Sequence, residues 1–73
     1  MKQATKDAAL AARPGSKLIY IKPQWGVVWQ DGKVWKGQLI SKVDYDNPTG
    51  IWWGPEDQAK TRKGLIAGLK ETQ

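Results

Sequence analysis

"GVVWQDGKVWKGQLI", residues 26–40, decides how this chain folds. Asp31-Gly32 is a strong two-residue hairpin signal, because such turns need positive φ at a central position and both residues tolerate it. If Gln30 pairs with Lys33, Trp29 lies opposite Val34, Val28 opposite Trp35, and Val27 opposite Lys36. Side chains alternate between the faces of a strand. One face then carries Val28, Trp35 and Leu39, with Gly26 and Gly37 between them. The other carries Trp25, Val27, Trp29, Val34, Lys36, Gln38, Ile40 and Lys42. The two tryptophans of the hairpin therefore point opposite ways.

Working outward, "KLIYIK" at 17–22 is β-branched and aromatic and reads as a strand ended by Pro23. "DYDNPTG" at 44–50 has turn chemistry, and "IWW" at 51–53 reads as a short strand. Gly54-Pro55-Glu56-Asp57 has the marks of a helix start, with proline first and acids in the first turn. The spacing predicts a helix running to about Lys70, with Gln58, Ala59, Arg62, Leu65, Ile66 and Leu69 on one face. That face needs an apolar surface, and Val28–Trp35–Leu39 offers one whose glycines leave room for a helix. "QATKDAALAA" at 3–12 is alanine-rich but offers only Leu10 as a large apolar anchor. A short helix is marginal without packing, so a frayed helix or mobile arm is expected, stopped by "RPGS" at 13–16. The expected fold class is α+β: a small antiparallel sheet of three to four strands packed against one C-terminal helix. Residues 1–16 would form a basic arm or short helix, and residues 17–73 one small α+β domain.

A chain of 73 residues buries only a thin core. There is no cysteine and no histidine, which removes disulfides, thiolate metal sites, the usual general base and the commonest zinc ligand. No apolar run approaches the ~20 residues of a membrane span, and "MKQATKDAALAARPG" lacks the apolar segment of a signal peptide. The expectation is a soluble protein of the cytoplasm or nucleoid, without cofactor and without catalytic residues. The net charge of +5 points to anionic partners. Lys2, Lys6, Arg13, Lys17 and Lys22 stand against Asp7 alone at the front of the chain, whereas Lys33, Lys36 and Lys42 are balanced by Asp31, Asp44 and Asp46.

Five tryptophans without a phenylalanine suit cores and interfaces alike. Trp25, Trp29, Lys36, Gln38 and Lys42 share one face, with Lys33 at its tip. Lysine neutralises phosphates, an amide reads base edges, and a two-stranded ribbon fits the major groove. Arg13 and Lys17 would extend this surface along the arm. The competing reading buries the face as a second core under the 17–22 strand, with lysines snorkelling at its rim. "DYDN" at 44–47 opens like a calcium loop, but Pro48 takes the next ligand position and no distal glutamate follows, so a turn is expected. Gly64 and Gly68 are spaced as in a close-packed helix pair, although such spacing also arises without a packing role, and a homodimer could form through that side or the Trp52 side.

Two stretches resemble a known family. "GVVWQDGKVWKGQLI" is similar to the first hairpin of the apetala/ethylene-response-factor DNA-binding domain, with Trp35, Gly37 and Leu39 matching its aromatic, small and aliphatic positions. "WWGPEDQAKTRKGLIAGLK" at 52–70 resembles that family's last strand and helix, through Trp53, Asp57 and Ala59. The arm-type domains of tyrosine integrases share the three-strand-plus-helix plan. The resemblance covers about residues 25–70 and implies duplex DNA binding through the sheet face, with Lys36 and Gln38 as outward contacts and the helix behind. The family's first strand is arginine-rich where this one reads "WGVVWQ".

The expected function is that of a small DNA-binding protein, a regulator or accessory recombination factor. The alternative is a protein-binding module or inhibitor, a Src-homology-3-like barrel presenting exposed tryptophans to a protein partner. Stacking on single-stranded nucleic acid is a third reading.

Overall fold

The structure, a computed structural model, describes residues 1–44 and 46–73. Strands β1 (Lys17–Ile21), β2 (Gln24–Asp31) and β3 (Val34–Val43) form an antiparallel meander. Lys22 and Pro23, joined by a cis peptide, connect β1 to β2, and Gly32-Lys33 connects β2 to β3. Gly32 has φ +63°, and no described residue other than glycine has positive φ. Positive φ at the first central position alone defines a type II′ turn, which calls for glycine there. The turn is thus centred one residue later than the sequence predicts. Asp31 pairs with Val34, Trp29 with Lys36, and Val28 with Gly37. Moving the turn by one residue shifts each pairing by two, an even step, so every side chain as far as Ile40 keeps its face.

The C-terminal helix differs from expectation. Asp57–Ala59 is a strand, β5, paired with β3 from Gly37 to Trp35, and helix α2 begins only at Arg62 and runs to Glu71. Gly54-Pro55 mimics a helix start, but the working N-cap is Thr61, whose hydroxyl accepts from the Gly64 N–H at 3.0 Å. Strand β4 (Ile51–Trp53) pairs with the other end of β3, with a register shift between Ile40 and Lys42. The outer edge of β3 is therefore shared: β5 takes Trp35–Gly37, the Gly54 N–H reaches Leu39 O at 2.8 Å, and β4 takes the rest. β1 pairs only with β2, and β5 only with β3, so the sheet is open.

Helix α2 lies on the Val28–Trp35–Leu39 face, as the sequence predicts. Leu65 and Leu69 are fully buried there with Ile19, Ile21, Val28 and Leu39. Gly37 lets both leucines settle, since a Cβ there would stand 3.1 and 3.2 Å from their methyl groups. Gln73 ties down the chain end by donating to Ile21 O at 2.6 Å.

The opposite face is covered too. Residues Gln3–Ala12 form helix α1, and Thr5 and Ala9 are buried against the sheet. Ala9, Val27 and Ile40 make a second small core, flanked by Leu18, Trp25, Trp29, Val43, Ile51 and Trp53. The helix needs no large anchor because its contact side is small and comes close to the sheet, while Thr5 donates to Pro48 O at 2.7 Å. Arg13-Pro14-Gly15-Ser16 then turns the chain into β1, with Gly15 at φ +82° and the Ser16 N–H on Arg13 O at 3.0 Å. The result is three layers: α1, sheet, α2. No described helix is long and apolar enough to cross a membrane.

Candidate nucleic-acid interface

The face that the sequence offers to DNA lies beneath α1. Trp25 and Trp29 are half-buried against the second core. Trp25 carries Lys6 over its ring at 4.7 Å and meets Tyr20 with centroids 5.1 Å apart. Aromatic faces attract cations electrostatically, which fixes the first turns of α1 to the sheet.

Gln38 is only 8% exposed. Its carbonyl accepts from Arg13 Nε at 2.9 Å, and its amide donates to Gly54 O at 3.1 Å. Arg13 also lies over the Trp53 ring at 4.9 Å. Two expected DNA contacts are thus partners of one another, joining the end of α1 to β3 and to the break between β4 and β5. Replacing Gln38 by alanine leaves Arg13 Nε and Gly54 O without these partners. Unfolding in urea is expected to show a loss of about 2 kcal/mol. A loss below about 0.5 kcal/mol would mean that water replaces both bonds.

Lys36 is engaged as well. Its ammonium lies 3.0 Å from Asp31 and 3.9 Å from Glu56. The hydrogen bond to Asp31, then its charge, holds Lys36 above the ordinary 10.5, with burial opposing and Glu56 adding a little. The folded pKa exceeds the unfolded one, so the pair's stabilisation is complete below the unfolded lysine value and is lost as pH rises through the folded one. In an NMR titration of the lysine side chains, Lys36 is expected to lose its proton above 10.5, and Asp31→Asn to bring it back. An unchanged midpoint in that variant would remove Asp31 as the cause.

The remaining expected contacts are at the surface. Lys33 sits exposed in the hairpin turn and Lys17 is exposed at the start of β1. Lys42, expected beside Trp25 and Trp29, is off that face: the register shift after Ile40 brings Val43 there instead and leaves Lys42 exposed, its ammonium 5.5 Å from the Trp52 ring. The sequence reading missed Lys60, Arg62 and Lys63, because it placed them inside a longer helix. All three are exposed around the start of α2. The late N-cap signal at Thr61 was there to find them. Among the described residues, every ion pair involves Lys36.

Other features offer less chemistry. In the 44–50 loop, oxygens of Asp44 and Asn47 accept from the chain's own Asp46 and Thr49 N–H groups, and Tyr45 lies outside the described residues. A cleft of about 570 Å³ between the start of α1 and this loop is lined by Met1, Lys2, Thr5, Val43, Asp44 and Pro48. Gly68 is closed off by the Asp57 carboxylate of the same chain, which takes the space a partner helix would need. A scan of protein-family models and searches of curated proteins and solved structures find no match for this chain.

Proposed function

We propose that this protein binds duplex DNA through its phosphate backbone, as a small regulator or accessory recombination factor located with the nucleoid in the cytoplasm. One observation carries the reading. The net charge is +5, and among the described residues only Lys36 has its charge met by a carboxylate. Lys2, Lys17, Lys22, Lys33, Lys42, Lys60, Arg62, Lys63 and Lys70 are exposed. Such side chains displace counterions from DNA, which makes affinity fall steeply with salt. The test is a titration with a random-sequence duplex at low and moderate salt, followed by tryptophan fluorescence. Salt-sensitive binding is the expected result. Absence of binding at low salt would end the DNA reading.

A second reading has its own support. Trp52 is 61% exposed on β4, with Lys42 beside its ring, and belongs to neither core. Exposed tryptophans anchor protein interfaces. Trp52→Ala is expected to change stability by no more than about 0.5 kcal/mol, whereas Trp53→Ala, which uncovers Arg13, costs several times that. Equal losses in the two variants would mean that Trp52 is structural.

A further inference from the structure

We infer that the DNA contact lies at the hairpin-tip end of the molecule, where Lys33, Lys60, Arg62 and Lys63 converge, and that it takes phosphates without reading base sequence. This deepens the DNA-binding reading and rests on it.

The convergence follows from strand pairing. β5 runs antiparallel to β3 with Ala59 beside Trp35, so the chain leaving Ala59 heads for the same end as Val34 and Lys33. Lys60 follows there, and Arg62 and Lys63 open α2 over the edge of β5. All four cations are exposed. Of the acids near this end, Asp31 and Glu56 face Lys36, and the Asp57 carboxylate lies against Gly68 further along α2. The Gly64 N–H at the start of α2 is held by the Thr61 hydroxyl, and the full charges of this end are on side chains. Four cations from the hairpin turn, the end of β5 and the start of α2 suit several phosphates better than one small anion.

Sequence indifference follows from what is absent at this end. Base edges are read by amide or guanidinium groups held in a fixed plane. Gln38 has its carbonyl on Arg13 and its amide on Gly54. Arg13 is bound to Gln38, to Ala12 O and to the Trp53 ring. Among the described residues, Arg62 makes no hydrogen bond or ion pair that would fix its guanidinium. The exposed amides of Gln30 and Gln58, beside Trp35 and Lys36, likewise have no side-chain hydrogen bond among the described residues to hold their plane. The other cations are lysines, which act as point charges.

Two triple variants with equal charge loss test the proposal. One carries Lys60→Ala, Arg62→Ala and Lys63→Ala. The other carries Lys2→Ala, Lys22→Ala and Lys70→Ala. Circular dichroism checks that both fold, and each is titrated with several unrelated duplexes across a salt series. The first variant is expected to bind at least about tenfold more weakly at low salt. Its slope of log affinity against log salt should flatten by about 3, one for each phosphate that is no longer neutralised. The second should weaken much less, and the wild-type protein should bind all duplexes within about threefold of one another. A larger loss of affinity in the second variant, with wild-type binding intact, would overturn the location and leave the DNA reading standing. Discrimination among duplexes of roughly a thousandfold would overturn the indifference, since that is the range of site-specific proteins. No binding by the wild-type protein to any duplex would overturn both readings.

Discussion

Replacing Leu65 by alanine is expected to remove most of the folding free energy, about 3–4 kcal/mol. Leu65 is fully buried, and it lies with Leu69 on the bare backbone of Gly37. Its neighbours Ile19, Ile21, Val28 and Leu39 project from three hydrogen-bonded strands. A strand cannot move inward to fill the void without breaking its ladder, so the cavity stays open. A domain of this size has only a few kcal/mol to lose. Ile66→Ala removes a partly buried side chain beside the same cluster and should cost about 1 kcal/mol. Urea melts followed by tryptophan fluorescence compare the two. Small, equal losses would show that α2 is not what seals this face.

Gly26→Ala should be comparably damaging, at about 3 kcal/mol or more, for the opposite reason. A Cβ at Gly26 would stand 2.6 Å from Gln38 O, 2.9 Å from Leu39 Cδ2 and 3.2 Å from Leu39 Cα. Two of these atoms are backbone of the neighbouring strand, so relief requires β2 and β3 to part. Gly37→Ala meets Val27 O at 3.0 Å, but its other neighbours are the tips of two leucines, which can turn aside. It should cost roughly half as much. Amide hydrogen exchange separates the two cases. Gly26→Ala should speed exchange along the β2–β3 ladder, while Gly37→Ala should leave that ladder protected. Equal protection in both variants would contradict the close approach at Gly26.

The faces of the β2–β3 hairpin were legible because alternation survives an even shift in register. The sequence also marked Leu65 and Leu69 as the buried stripe of a helix, although it placed the start of that helix too early. Three features were hidden for physical reasons: β5, the docking of α1, and the partner of Gln38. β5 is only Asp57-Gln58-Ala59, with no alternation to recognise, and its register comes from β3. A short helix or arm was expected at the start of the chain, but its docking was not, because α1 packs through Thr5 and Ala9, residues too small to register as an apolar anchor. Gln38 looked like a free amide because Arg13, its partner, lies 25 residues earlier, a distance over which no local pattern speaks. These three gaps have one consequence for the site. The Trp25–Trp29–Gln38 face looked open because its cover was invisible, and Lys60, Arg62 and Lys63 looked like one side of a helix rather than the end of a sheet.

The division of the outer edge of β3 has a consequence for life in a crowded solution. Exposed strand edges are templates on which other chains aggregate, and long, flat, apolar edges are the worst. Here neither β4 nor β5 exceeds three residues, and Gly54, Pro55 and Glu56 separate them. At the other edge, β1 is five residues long, begins at Lys17 and is followed by Lys22 and Pro23. Any chain seeking to extend the sheet meets a break on one side and two cations on the other. A tryptophan-rich sheet this small therefore offers other chains less to extend than an unbroken edge would.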